Sequence, residues 1–359
     1  MTFVGLDLHK RYLTVCALDA DGALLGEVRR MPVTMEALTT FFATVPAPIA
    51  CAVEATLSWA WLHDQLVRAG HTVHVVHAYQ AKLIWQARSK TDPIDARKLA
   101  ELLRVNLLPT IWVPDTETRE RRQLLRGRAF LVRQRTAVKN RIHGHLSAEN
   151  HVCAVTDAYG RAGRAWLATV PLSPMLRVQV DHLLRVHDFL TTEIRELDTQ
   201  VKRYAHREPR VAQLATIPGV GTFGALFLLS EIGTITRFRS SQELAAYAGL
   251  VPTTRSSGGK TAHGGVGRAS NRWLKWILVE IVQTLKLAPG PVGSHYRNLL
   301  RAKGKPKATV AAARKLCSYL FWMLKEGWSY EQWLQQHMQD HTQLHQSEVR
   351  PGQRMGAVA

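Results

Sequence analysis

Residues 1–105 constrain the fold most: three apolar runs of strand character come first, and only then does the chain alternate helices with strands. The runs are Phe3–His9, Tyr12–Leu18 and Ala23–Met31; a tight link joins the first two, and Asp19-Ala20-Asp21-Gly22 supplies a hairpin turn before the third. A helical stretch Met35–Thr44, a buried strand Ile49–Glu54 and a helix Leu57–Ala69 closed by Gly70 follow. A strand Thr72–His77 and a helical region Tyr79–Val105 complete the segment. Hairpin-linked strands followed by crossover units predict a mixed α/β sheet. The order is that of an RNase H-like domain, and other mixed α/β domains share it.

The rest of the chain reads as helical, so the predicted class is α/β plus α. Leu183, Val186, Leu190, Ile194, Leu197, Val201 and Tyr204 recur at heptad-like spacing, and Leu124, Leu131, Val138, Ile142 and Leu146 form a second stripe upstream. Two long helices around a Gly- and Pro-containing insert predict a coiled-coil hairpin. Its apolar face serves either a core or a dimerisation arm; the second reading makes the protein a homo-oligomer, dimer or tetramer. Beyond it, Ile217-Pro218-Gly219-Val220-Gly221 lies between apolar helices, as in a helix-hairpin-helix turn. Gly219 and Gly221 would let backbone N–H groups approach a phosphate; a plain helical turn has the same letters. A Gly-, Ser- and cation-rich loop is predicted from Thr253 to Ala269, and a basic loop at Lys303-Gly304-Lys305-Pro306-Lys307 before a last helix.

Charge divides along the same boundaries. Residues 1–112 carry 11 basic and 10 acidic groups, residues 113–205 carry 16 and 10, and residues 206–330 carry 18 and 5, while the polar tail 331–359 is nearly neutral. A folded section with so large a cationic excess predicts a polyanionic partner, and nucleic acid is the leading one. Arg255, Lys260, Arg268, Lys303, Lys305 and Lys307 are its candidate contacts. The four cysteines are widely spaced, without a C-x-x-C pair, which argues against a disulfide scaffold or zinc module and for a reducing, cytoplasmic compartment. No window has the apolar length of a membrane span, and no basic n-region of a signal peptide opens the chain.

Four carboxylates stand out in the charge-balanced section. Asp7 sits mid-strand among Val4, Leu6 and Leu8, where an unpaired charge is costly. Glu54 ends a buried strand, and Asp92 and Asp95, three residues apart at a helix start, can share a face. Together they could hold Mg²⁺, a hard cation that takes oxygen ligands. Asp92 before Pro93 is equally a helix N-cap, the favoured reading of that pair taken alone. His71, His74 and His77 alternate across a strand and read as ordinary strand residues. Ser257, with Ser256 as its competitor, is a possible nucleophile amid Arg255, Lys260 and Arg268; a flexible loop is the commoner meaning of Ser-Ser-Gly-Gly.

One resemblance unites these pieces. Gly5-Leu6-Asp7-Leu8-His9-Lys10, Val53-Glu54-Ala55-Thr56 and Lys90-Thr91-Asp92-Pro93-Ile94-Asp95-Ala96 occur in order. Ile217-Pro218-Gly219-Val220-Gly221, Glu231-Ile232-Gly233, Arg237-Phe238, Ala246-Tyr247-Ala248-Gly249-Leu250-Val251-Pro252 and Ser256-Ser257-Gly258-Gly259-Lys260 follow. The set resembles the DEDD transposases of bacterial insertion sequences, the "IS one-ten" family, related to the Piv site-specific invertases. The resemblance implies a RuvC-like first domain whose Asp7, Glu54, Asp92 and Asp95 bind Mg²⁺, and a transposase domain whose Ser257 is the nucleophile. It also implies donor and target DNA as partners and a structured guide (bridge) RNA. The expected activity is recombination through a phosphoserine link. The alternatives are a RuvC-like nuclease using water as nucleophile and a non-catalytic nucleic-acid-binding protein.

Overall fold

The computed structural model describes residues 1–84, 91–257, 260–266 and 270–336, with backbone alone for 254–257, 260–263 and 266. It separates into two compact units, Met1–Pro114 and Asp115–Ala359.

The first unit is a five-stranded mixed sheet between helices. Its elements are β1 (Thr2–Leu8), β2 (Tyr12–Leu18), β3 (Arg29–Pro32), α1 (Met35–Phe42), β4 (Ile49–Glu54), α2 (Trp59–Arg68), β5 (Thr72–Val76), α3 (Ala78–Ile84) and α4 (Asp92–Arg104). The strand order is β3-β2-β1-β4-β5, antiparallel from β3 to β1 and parallel from β1 to β5. Both faces of the central strands are covered, so these strands read as nearly continuous apolar runs. Val4, Leu6, Leu13, Val15, Cys51 and Val53 pack with Leu38, Phe41, Leu62 and Leu66 of α1 and α2. The alternate residues face α4: Cys16 and Leu18 meet Ala96 and Ala100, and Ala50 and Ala52 meet Leu99 and Leu103.

Two sequence expectations need correction here. The third strand starts at Arg29 rather than Ala23, because Gly22 and Gly26 both take positive φ and turn the chain, leaving a single bridge, Leu18 with Leu24. The helical region Tyr79–Val105 is two helices, α3 and α4, with residues 85–90 between them outside the described part.

In the second unit, α5 (Thr116–Ala148), α6 (Arg161–Thr169) and α7 (Pro174–His206) come first. The long α5 and α7 run antiparallel: Arg128 pairs with Asp198 at 2.9 Å, while Ile142 and Leu146 cluster with Val180. Near the other end, Leu125 and Ala129 join Val201 and Ala205 in a larger core with the following helices. Those are α8 (Arg210–Ala215), α9 (Thr222–Ile232), α10 (Ser241–Tyr247), α11 (Arg272–Leu285) and α12 (Pro291–Glu326). Between α10 and α11 the chain forms a two-stranded antiparallel hairpin, β6 (Pro252–Ser257) and β7 (Lys260–Val266). The expected loop Thr253–Ala269 is thus largely a β-hairpin in its described residues, because a polar, Thr-containing stretch suits a ribbon as well as a loop. The basic stretch Lys303–Lys307 does interrupt the helix, as a kink between two helical segments of α12 rather than as a loop: Gly304 takes φ 72° and ψ 165°, outside the helical region, and Pro306 lacks an N–H.

Candidate active site

The acidic cluster follows from strand alternation and one close approach. Side chains on a strand alternate, so Asp7 lies on the same face as Gly5, the face that carries α4. Gly5 allows that helix to sit almost on the backbone: a Cβ there would overlap the Ala96 carbonyl and lie 2.6 Å from the Ala100 nitrogen. On α4 the sheet-facing stripe is Ala96, Leu99, Ala100 and Leu103. Extended one turn toward the helix start, the same stripe reaches Asp92 and Asp95. Glu54 shares the face of Ala50 and Ala52 and ends β4, one step beyond the Leu6–Val53 pair, as Asp7 does on β1. Four carboxylates from three elements therefore lie on one face of the sheet, by the ends of two parallel strands.

Their surroundings are partly buried. His9, two residues beyond Asp7 and on its face, places Nε2 3.0 Å from Asp7 Oδ2 and 3.5 Å from Asp92 Oδ1. Asp92 Oδ2 accepts from the Tyr12 hydroxyl at 3.1 Å. The Tyr12 ring stacks on His9 at 4.5 Å and carries the Arg30 guanidinium 3.4 Å from its centre. Burial pushes the Asp7 carboxyl above its ordinary pKa; the His9 bond opposes this, and the charges of Asp92 and Asp95 add to it. The capping alternative for Asp92 fails: Thr91 is the N-cap, Asp92 is the first helical residue, and its oxygens turn to Tyr12 and His9. His9 and Tyr12 were missed in the sequence; the signal available was period two, which puts His9 beside Asp7.

The donor set suits a hard divalent cation. One ligand atom from each of Asp7, His9 and Asp92 lies within 4.8 Å of the others, with Asp95 close enough to perturb Asp7. Thr14, the cross-strand neighbour of Asp7, adds a buried hydroxyl oxygen that has no hydrogen-bond partner. Carboxylates pressed together in this way gain most from a bound cation, which removes their mutual repulsion.

The other predicted residues are in the second unit. Gly219 takes φ 79°, and a Cβ there would lie 2.7 Å from the Thr284 methyl, so both conformation and packing require glycine. Gly221 is the N-cap of α9. Ser256 and Ser257 end β6, Arg255 precedes them and Lys260 opens β7, with side chains outside the described part, as is all of Arg268. Lys303, Lys305 and Lys307 are exposed around the kink of α12. Residues 337–359, most of the expected polar tail, lie outside the described part.

Carboxylates gathered on one unit and a cationic helical second unit fit the class of DNA-processing enzymes, and the family comparison assigns that class. Comparison narrows it. A family model described as a DEDD transposase of IS110 matches residues 4–152, and a second, for transposases of the IS116/IS110/IS902 family, matches residues 211–297. The transposase of insertion sequence IS1328 from Yersinia enterocolitica is 26% identical over 336 residues, covering 91% of this chain and 98% of the relative. The transposase of IS1111A from Coxiella burnetii is 24% identical over 340 residues, covering 91% and 90%. A probable family 20 transposase of Pseudomonas aeruginosa is 27% identical over 287 residues, covering 77% and 81%. The chain belongs to the IS110 family of DEDD transposases.

Proposed function

We propose that this insertion-sequence transposase cuts and rejoins DNA through a phosphoserine link formed by Ser257, with Mg²⁺ held by Asp7, Glu54, Asp92 and Asp95. The observation that carries the metal half is the convergence of Asp7, His9 and Asp92 on a face shared with Glu54 and Asp95. The strand order β3-β2-β1-β4-β5, with its switch from antiparallel to parallel, supports an RNase H-like, RuvC-like first unit. Bound Mg²⁺ would neutralise charge on the scissile phosphate. The protein's own groups do the rest. Tyr12 holds one oxygen of Asp92, and His9 bridges Asp7 and Asp92, fixing both carboxylates before the substrate arrives.

The Ser257 hydroxyl would attack phosphorus, losing its proton to solvent or base, while the bridging oxygen of the broken strand leaves as a hydroxyl. Reversal on a second strand would complete the exchange. Arg255, Lys260 and Arg268 are the adjacent cations; Gly219, Gly221, Lys303, Lys305 and Lys307 would contact phosphates. The family resemblance adds a guide RNA that selects donor and target, and a homo-oligomer, dimer or tetramer. Trapping of a covalent protein–DNA adduct is the test. Adduct should form with divalent metal, vanish in Asp7→Ala, Glu54→Ala and Ser257→Ala, and persist in Ser256→Ala. Metal-dependent cleavage without any adduct would favour the nuclease reading and reject Ser257. RNA of one defined length should copurify; heterogeneous fragments alone would count against a guide.

A further inference from the structure

Glu231 is 1% exposed, and its carboxylate gathers partners from helices far apart in sequence. Arg126 of α5 grips it in a two-pronged pair, both N···O distances being 2.8 Å. Arg122, one turn earlier, closes the end of α9 by donating to the carbonyls of Ser230 and Glu231 at 2.7 and 2.9 Å. The remaining partner is Asn271, whose Nδ2 donates to Glu231 Oε2 at 2.8 Å and to the Tyr247 hydroxyl at 3.0 Å. The amide orientation is unambiguous: Asn271 Oδ1 accepts from the backbone nitrogens of Trp273 and Leu274, capping α11, so only Nδ2 is left to donate. The Asn271 backbone N–H completes the knot by donating to the Tyr247 carbonyl at 2.7 Å.

Tyr247 ends α10 and Asn271 precedes α11; between them runs the hairpin of β6 and β7 that carries Ser257. Its two feet are therefore tied to each other and to one buried carboxylate, which is itself clamped by α5. A buried ion pair is a poor source of stability compared with apolar packing of equal volume, but it holds its partners in one geometry. We infer that Asn271 and Glu231 are positioning residues for the serine hairpin, holding its feet so that the strand end at Ser257 is held in one position. The role rests on the serine reading above.

Two substitutions separate positioning from folding. Asn271→Ser and Asn271→Asp both keep an oxygen that can cap α11. The first deletes both Nδ2 donors, and the second also sets a carboxylate against Glu231. In the full chain, tryptic cleavage at Arg255 and Lys260, mapped by mass spectrometry, reports the hairpin without DNA or serine chemistry. Cleavage there should rise about tenfold in Asn271→Ser and further in Asn271→Asp. The thermal midpoint should fall by only a few degrees in Asn271→Ser and further in Asn271→Asp, and DNA affinity should hold, while the rate of adduct formation falls. Unchanged cleavage in both single variants, or loosening without loss of adduct rate, overturns the inference. Absence of adduct from the unsubstituted protein would instead overturn the serine reading.

Discussion

Gly5→Ala tests whether the acidic cluster depends on how closely α4 lies on β1. The added Cβ would overlap the Ala96 carbonyl oxygen and stand 2.6 Å from the Ala100 nitrogen, and both are helix backbone, which cannot rotate away. Relief requires the strand and helix to part by about 1 Å or more, given ordinary contact distances near 3.5 Å. Asp92 and Asp95 are rigidly attached to that helix, whereas Asp7 and His9 belong to the strand, so the separation opens the cluster itself. Overpacking of this kind costs about 1–3 kcal/mol, or a drop of roughly 10 °C in the melting of the first unit. Misplacement of about 1 Å at a reacting centre costs on the order of 100-fold in rate.

The assay is cleavage of a DNA substrate in divalent metal, beside a melting curve and a DNA-binding isotherm. Gly127→Ala on α5 is the control, because a Cβ there meets nothing within 4 Å. A helix-interior glycine replaced by alanine should stabilise by about 0.5–1 kcal/mol. Cleavage and melting both near wild type in Gly5→Ala would refute the argument that this contact sets the cluster.

Other outcomes follow from the same geometry. Mg²⁺ at about 100 times its Kd should raise stability by about 2.7 kcal/mol, seen as a melting shift of the first unit that Asp7→Ala abolishes. In chelator, the raised Asp7 pKa means that the folded state keeps this proton to higher pH than the unfolded chain. Stability measured by denaturant should therefore fall as pH rises through the window just above 3.8, and Asp7→Asn should flatten that fall. Duplex binding should weaken with salt at a log–log slope of roughly −7 if about eight phosphates are neutralised; a flat response would remove the polyanion argument. Mixing Asp7→Ala with Ser257→Ala protein, once subunit exchange is verified, should restore cleavage if sites are shared between chains; no recovery would reject sharing.

The sheet was legible because its signals are local. Apolar runs, the Asp19–Gly22 turn and Gly70 mark strand and helix ends without reference to anything distant. Asp7 was legible for the opposite reason, as a charge in a run that should be apolar. The third strand was misplaced because Gly26 turns a segment whose letters still read as extended. The hairpin of β6 and β7 reads as a loop in the sequence because its residues are mostly polar, so no apolar stripe distinguishes ribbon from coil. Lys303–Lys307 is legible as a helix break because Gly304 leaves the helical region and Pro306 lacks an N–H; that the break is a kink and not a loop goes with the buried Ala308, Thr309, Ala312 and Ala313, which resume the helix directly after it. Glu231 stood in the sequence only as part of a motif. Nothing near it in the chain reveals Arg126 or Asn271, whose approach is a product of tertiary packing.

The proposed function gains, on electrostatic grounds, from a division of its tasks between the two units. A polyanion approaching Asp7, Glu54, Asp92 and Asp95 meets like charge, and the positive end of α4 offsets only a fraction of it. Affinity must come from elsewhere, and residues 206–330, with 18 basic groups against 5 acidic, are able to supply it. Under the proposed function, such a division would leave the carboxylates free to be arranged for a cation rather than for holding DNA. Loss of a single carboxylate should then leave binding intact, or slightly strengthen it, while cleavage is lost. A protein in which binding and cleavage fell together on Asp7→Ala would have its acids in the binding surface, and the division of labour argued from its charges would be wrong.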